Sequence, residues 1–194
     1  MRKIFIATGN AHKISEFREI FDTLGLEAEL VSPKDFNDDS EPVENGSTYK
    51  ENSYIKARFY YDRYHLPTLA DDSGIEIDFF DGQPGIHSAR FLQGMSYPER
   101  NDYICDKMKD SDNRGASFHC VVTYIDEKGE ARFHEGVVKG SIAREPKGIE
   151  GFGYDPIFIT DGYDKTNALM GQEFKNSHSH RAIALRKWVE DLED

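Results

Sequence analysis

From Ser117 to Ile125 the sequence alternates side to side, with Phe118, Cys120, Val122 and Tyr124 sharing one face. Asp126-Glu127-Lys128-Gly129 follows, and then a second strand-like run from Ala131 to Val138. Period-two patterning on both sides of a short Asp/Gly turn predicts an antiparallel hairpin. The chain opens differently. Ile4 to Ala7 reads as a short strand, Thr8 to His12 as a loop, and from Lys13 onward Ile14, Phe17, Ile20, Phe21 and Leu24 recur at helical spacing until Gly25. Strands interleaved with helices, plus one hairpin, predict an α/β fold built on a mixed β-sheet with flanking helices.

The remaining elements follow from the same periodicities. A short strand is expected over Glu29–Val31, and an exposed acidic loop from Asp35 to Gly46. A helix is expected from about Ser47 to Tyr64, anchored by Tyr49, Ile55, Phe59 and Tyr60. Thr68 to Phe80 reads as two strands broken at Asp72-Ser73-Gly74. Pro98 opens a helix that runs through Ile104 and Met108, and Pro156–Ile159 is a short strand. A last helix starts near Ser179 and turns Ile183, Leu185, Trp188, Val189 and Leu192 inward. With no linker between these elements, residues 1–194 are expected to form a single domain.

Composition removes several classes of function. Net charge is −12, so the broad basic face of a general nucleic-acid binder is not expected. Converging cations in one cleft could still hold a small polyanion. Apolar residues make up 38% of the chain and none of their runs approaches a membrane span, so no membrane partner is expected. Met1-Arg2-Lys3 leads directly into a four-residue apolar stretch, too short for a signal-peptide core, so a cytoplasmic location is expected. Cys105 and Cys120 lack metal-binding spacing and are expected to be buried thiols.

The polar motifs carry the chemistry. Asp71-Asp72-Ser73-Gly74 puts two carboxylates beside an apolar strand, either as a solvated turn or as a magnesium site. Thr8-Gly9-Asn10-Ala11-His12-Lys13 joins the first strand to the first helix, where free N–H groups, Gly9 and the Lys13 charge suit a phosphate. A plain loop with a helix cap explains the same residues. Glu44 and Glu51 flank the second helix start, with Lys56 farther along it. They read either as dipole partners or, for Glu44, as a second metal carboxylate. In Glu150-Gly151-Phe152-Gly153-Tyr154-Asp155, aromatics on a glycine-flanked loop could stack on a planar base, with Asp155 accepting a ring N–H; a tight turn with Phe152 in the core is the other reading. Ser179 as a helix N-cap would leave His180 and Arg181 in the first turn, where cations are unfavourable unless an anion compensates them.

Taken in order, Thr-Gly-Asn-x-x-Lys, Glu-Asn before Lys-Ala, Ala-Asp-Asp-Ser-Gly, Pro-Gly-Ile-x-Ser-Ala-Arg, Gly-Phe-Gly-Tyr-Asp-Pro-Ile-Phe and Ser-His-Arg make a distinctive set spanning Thr8 to Arg181. The chain resembles the inosine triphosphate pyrophosphatase family. The resemblance implies an elongated mixed sheet in two lobes with an active-site cleft between them, and a homodimeric, Mg²⁺-dependent hydrolase. Its substrates would be ITP, dITP and XTP, cleaved to the monophosphate and pyrophosphate. It assigns the triphosphate to Thr8, Gly9, Asn10, Ala11, His12 and Lys13, and the general base to Asp72, with Ser73 beside the substrate; Asp72, or Asp71 beside it, would take the proton of the attacking water. Asp72 and Glu44 would hold the metal, with Glu41 the competitor for the second position. Phe152, Gly153, Tyr154 and Asp155 match the base pocket, and Lys175, His180 and Arg181 further substrate contacts. Lys13, Lys56 and Lys175 would stabilise phosphate charge, and His180 or Arg181 would donate to the purine 6-oxo group. A pyrophosphatase for other modified nucleotides and a non-catalytic nucleotide-binding regulator are the alternatives.

Overall fold

The computed structural model describes residues 2–193. Its strands are β1 (Arg2–Ile6), β2 (Ala28–Val31), β3 (Thr68–Ile77), β4 (Gly115–Ile125), β5 (Ala131–Ile142) and β6 (Phe158–Thr160). The α-helices are α1 (Ala11–Thr23), α2 (Tyr49–Tyr64), α3 (Tyr97–Lys107), α4 (Asn167–Met170), α5 (Gln172–His178) and α6 (His180–Glu193). The strands form one sheet in the order β2-β1-β3-β4-β5-β6. β1 runs parallel to β2 and β3, and β5 antiparallel to β6, so the sheet is mixed as expected. The β4–β5 hairpin turns on Asp126, whose carboxylate accepts the N–H groups of Lys128 and Glu130.

By compactness the chain divides into two units, Met1–Asp72 with Cys120–Gly136 and Arg181–Asp194, and Ser73–His119 with Val137–His180. In the first unit, period-two alternation sorts the strand residues onto two faces. Ile4, Ile6, Leu69, Cys120, Val122 and Tyr124 pack against Phe17, Ile20 and Phe21 of α1 and against Leu185 and Trp188 of α6. Phe5, Ala7 and Ala70 pack instead against Ala57 and Tyr60 of α2. In the second unit, Phe118 meets Phe158 at 4.5 Å between ring centres, and Ile104 and Tyr154 are buried.

Several expectations need correction. Thr68–Phe80 is not two strands: β3 runs unbroken for 10 residues through Asp72-Ser73-Gly74. The carboxylates do not break it because each meets cations, and Gly74 fits where a Cβ would lie 2.1 Å from the Gly85 carbonyl oxygen. The buried stripe of α2 is mostly polar (Asn52, Ser53, Lys56), with Ala57 and Tyr60, rather than the aromatic face expected. The acidic segment after β2 is not simply an exposed loop, since it begins with a 3₁₀ turn (Pro33–Phe36) and is tied to α2. Leu192 is exposed, and α4 and α5 were not foreseen. Cys105 and Cys120 are buried free thiols, as expected.

Candidate active site

Asp71 and Asp72 are neighbours on β3, so they point to opposite sides of the sheet. Asp71 follows the register of Leu69, toward α1 and α6, and Asp72 that of Ala70, toward α2. Their partners differ accordingly. Asp71 Oδ2 accepts from Lys13 Nζ at 3.0 Å and from Arg181 Nη2 and Nε at 2.7 and 3.3 Å. Arg181 also donates through Nη1 to Glu16 of α1, and the guanidinium is 1% exposed. Asp72 Oδ1 lies 3.5 Å from Lys56 Nζ, and the same ammonium donates to Glu44 Oε2 at 2.9 Å.

The two carboxyls are driven in opposite directions. Burial alone would raise both. For Asp71, the charges of Arg181, Lys13 and Lys56 overcome burial and hold the carboxyl well below the usual range. For Asp72, burial prevails over Lys56 and Lys13, and the Glu44 and Asp71 charges push further the same way, so its carboxyl is raised. Lys56 is desolvated, yet Asp72, Asp71 and Glu44 keep its ammonium more basic than usual. Neighbouring carboxyls with pKa values pushed apart are the arrangement that separates a fixed anion from a proton acceptor.

The helix cap and the phosphate reading of residues 8–13 coexist. Asn10 is the N-cap of α1 and its side chain accepts the N–H groups of His12 and Lys13, while Thr8 Oγ1 accepts that of Asn10. Gly9, Ala11 and His12 stay exposed at this helix end, where anions are favoured. Glu41 lies beside Gly9, with Oε1 3.8 Å from where a Cβ would stand there. Glu44, rather than Glu41, shares the Lys56 ammonium with Asp72.

The second unit holds the aromatic loop. Gly151 and Gly153 adopt φ of 75° and 68°, and a Cβ on Gly151 would lie 2.3 Å from Asp155 Oδ2. That oxygen accepts from Phe152 N–H at 2.9 Å and from Lys175 Nζ at 2.8 Å. The Lys175 ammonium also sits 4.6 Å from the centre of the half-buried Phe152 ring. Tyr154 is a core residue: its hydroxyl donates to the Ser88 carbonyl at 2.7 Å, and its ring meets Tyr97 edge-on. Asn101 holds the loop by donating to the Gly153 carbonyl at 3.0 Å. His180 stacks on Phe118 at 4.8 Å, and Ser73 is half-buried in β3.

Two of the expected substrate contacts carry internal partners. The compensating anions for Arg181 in the first turn of α6 are Asp71 and Glu16. Asp155 Oδ2 holds Phe152 and Lys175 in place. Glu16, Ser88 and Asn101 were missed. For Glu16 the signal was there: a carboxylate four residues before Ile20, on the apolar stripe of α1, needs a buried cation.

The all-oxygen donor set of Asp72 and Glu44 suits a hard divalent cation. Asp72 Oδ2 is buried with no hydrogen-bond donor among the described residues. Mg²⁺ is bound through one or two carboxylates, waters and phosphate oxygens rather than by a full protein cage. No group of three or more His, Cys, Asp or Glu poised to hold a metal occurs among the described residues.

The family model described as the Ham1 family matches residues 4–191. A dITP/XTP pyrophosphatase of Aquifex aeolicus is 39% identical over 204 residues, covering 99% of this chain and 97% of the relative. The solved Ham1 protein of Staphylococcus aureus superposes with a TM-score of 0.86 at 33% identity, covering 99% of this chain and 98% of its own. That of Coxiella burnetii gives 0.86 at 36% identity, with coverage of 100% and 99%.

Proposed function

This chain belongs to the Ham1 family, and from that premise we propose that it hydrolyses ITP, dITP and XTP to the nucleoside monophosphate and pyrophosphate. One water is consumed, the α–β anhydride bond breaks, and a proton is released. The observation that carries the reading is that the adjacent Asp71 and Asp72 gather two ion-paired sets from the first 72 residues, Lys13 on Asp71 and Lys56 with Glu44 on Asp72. Phosphoryl transfer needs positioning and charge neutralisation more than covalent help, and that cluster supplies both.

The exposed N-terminus of α1, with Thr8, Gly9, Asn10, Ala11, His12 and Lys13, binds the triphosphate. Lys13 and Lys56 offset phosphate charge as pyrophosphate departs. Asp72 takes the proton of the attacking water; Asp71 is locked between Lys13 and Arg181, whereas Asp72 keeps a buried oxygen with no hydrogen-bond donor among the described residues. Asp72 and Glu44 would hold Mg²⁺, which would supply neutralisation of phosphate charge. Phe152, Gly153, Asp155 and Lys175 present a stacking face and a cation to the base, with Tyr154 as their support, and Ser73 and His180 as further substrate contacts. We take the enzyme to be a cytoplasmic homodimer that cleanses the nucleotide pool, with dimerisation checked by sedimentation.

Incubation with ITP, dITP, XTP, GTP, dUTP and ATP in the presence of Mg²⁺, assaying pyrophosphate, tests the proposal. Release from the first three at least tenfold faster than from GTP or ATP is expected. Preference for dUTP, or nucleotide binding without turnover, would overturn it.

A further inference from the structure

Helix α2 grips the segment before it at four points, from residues spaced i, i+4, i+8 and i+12 along one stripe. Asn52 Oδ1 accepts Gly46 N–H at 2.8 Å, and Lys56 Nζ donates to Glu44 Oε2 at 2.9 Å. Tyr60 hydroxyl donates to the Ser40 carbonyl at 2.7 Å, and Tyr64 hydroxyl to Asp38 Oδ2 at 2.5 Å. The order is strictly reversed, so residues 38–46 run antiparallel along the helix for about 18 Å at 1.5 Å per helical residue.

Both ends of this run are clamped. At one end, Asp38 Oδ1 accepts the N–H and hydroxyl of Ser40 at 3.0 and 2.6 Å, and Arg63 pairs with Oδ2 at 3.2 Å. Those bonds from Ser40 and Tyr64 hold the Asp38 carboxyl down at about 2, so the clamp stays charged at any working pH. At the other end, a Cβ on Gly46 would lie 2.7 Å from both Asn52 Oδ1 and Glu51 Cβ, so only glycine lets the backbone lie this close to the helix start. Between the clamps, Val43 is 79% exposed, so apolar burial there does little to fix Glu44.

We propose that Tyr60 and Tyr64 are positioning residues for Glu44: their hydroxyls fix the segment that presents this carboxylate beside Asp72, and thereby set the affinity for the divalent ion. A carboxylate on a loop has to be ordered before it can bind a cation, and the entropy of ordering is subtracted from the affinity unless the fold has already met it. The inference rests on the proposed metal role of Glu44.

Tyr60→Phe/Tyr64→Phe deletes both hydroxyls and keeps the rings that pack on Phe5 at 5.1 and 4.9 Å. Tyr64→Phe alone is the milder variant, should the double one fail to fold. Three readouts apply: amide hydrogen exchange over residues 38–46 in metal-free protein, Mn²⁺ binding by electron paramagnetic resonance without nucleotide, and the Mg²⁺ dependence of dITP turnover. Each lost bond is expected to speed exchange in this segment and weaken Mn²⁺ binding by about fivefold. The Mg²⁺ concentration for half-maximal rate should rise in step, with kcat at saturating Mg²⁺ within about twofold of wild type. Faster exchange with unchanged Mn²⁺ affinity would overturn the inference, and so would unchanged exchange. The exchange and Mn²⁺ arms need no substrate, so wild-type protein that binds Mn²⁺ but leaves dITP intact would defeat the enzymatic reading alone.

Discussion

Replacing Arg181 by methionine keeps most of the side-chain stem and removes the charge that joins Asp71 to Glu16. In the wild type the guanidinium is 1% exposed, and its Nη2 lies 2.7 Å from Asp71 Oδ2. Removing one partner of a buried pair costs about 3–5 kcal/mol, because the remaining charge is left in a poorly solvating interior. Asp71 retains Lys13 at 3.0 Å, and the Lys13 side chain is 17% exposed, which favours the lower end, about 3 kcal/mol. At about 2–4 °C per kcal/mol for a chain of this size, Tm at pH 7 should fall by about 6–12 °C. The pH dependence gives a second check. Arg181 helps hold the Asp71 carboxyl below its usual range, so the stability it contributes is present above the unfolded-state pKa and is lost only as pH falls through the folded value. In the variant, burial prevails and that carboxyl rises, so protonation relieves the buried charge. The Tm gap between the two proteins should be full at pH 7 and narrow toward about pH 4. Calorimetry at several pH values measures both effects. A Tm change under about 2 °C, or a gap independent of pH, would refute the view that Arg181 is held by internal carboxylates.

Three further substitutions separate chemistry from scaffolding. Asp72→Asn should lower kcat by about 10²–10⁴ with Tm unchanged or slightly raised, since burial already disfavours the charged form; wild-type turnover would remove Asp72 from the mechanism. Asp155→Asn keeps an acceptor for Phe152 N–H but strips the buried Lys175 of its counter-charge, so KM for dITP should rise about tenfold or more, a shift that steady-state kinetics would reveal. Gly46→Ala must push a Cβ against Asn52 and Glu51, and should cost about 1–3 kcal/mol in denaturant titrations; a neutral result would mean the segment relaxes freely.

What the sequence made legible was whatever rests on local period. The β4–β5 hairpin and the apolar stripe of α1 follow from side-chain alternation and 3.6-residue spacing. The unbroken course of β3 was not legible, because Asp71 is compensated by Arg181, 110 residues away, and burial of a carboxylate is tolerable only once that distant partner is known. The buried face of α2 was hidden for a related reason. Asn52 and Lys56 look like solvent residues until the segment they hold is seen folded back over them. α4 and α5, of 4 and 7 residues, are too short to show a period at all. At the candidate site, position in a motif did not disclose which way a side chain is held. Tyr154 turned out to serve the core and Arg181 the carboxylates.

The one-residue offset between Asp71 and Asp72 explains why the motif has two acids. A single strand cannot aim consecutive side chains at one point, so two adjacent carboxylates serve two sides of the sheet. On one side Asp71 is an anion fixed by Arg181 and Lys13, and its charge keeps the Lys13 ammonium at the N-terminus of α1, where a phosphate would bind. On the other side Asp72 shares a single ammonium with Glu44, which leaves that side with more negative than positive charge and with a buried carboxylate oxygen still lacking a donor. One proton would cancel that net charge of −1 and a divalent cation would turn it to +1, which suits Asp72 to the proposed roles of ligand and base. Putting the guanidinium beside Asp72 instead would leave the proposed base permanently ionised, so the proposed division of labour requires the buried cation on the Asp71 side.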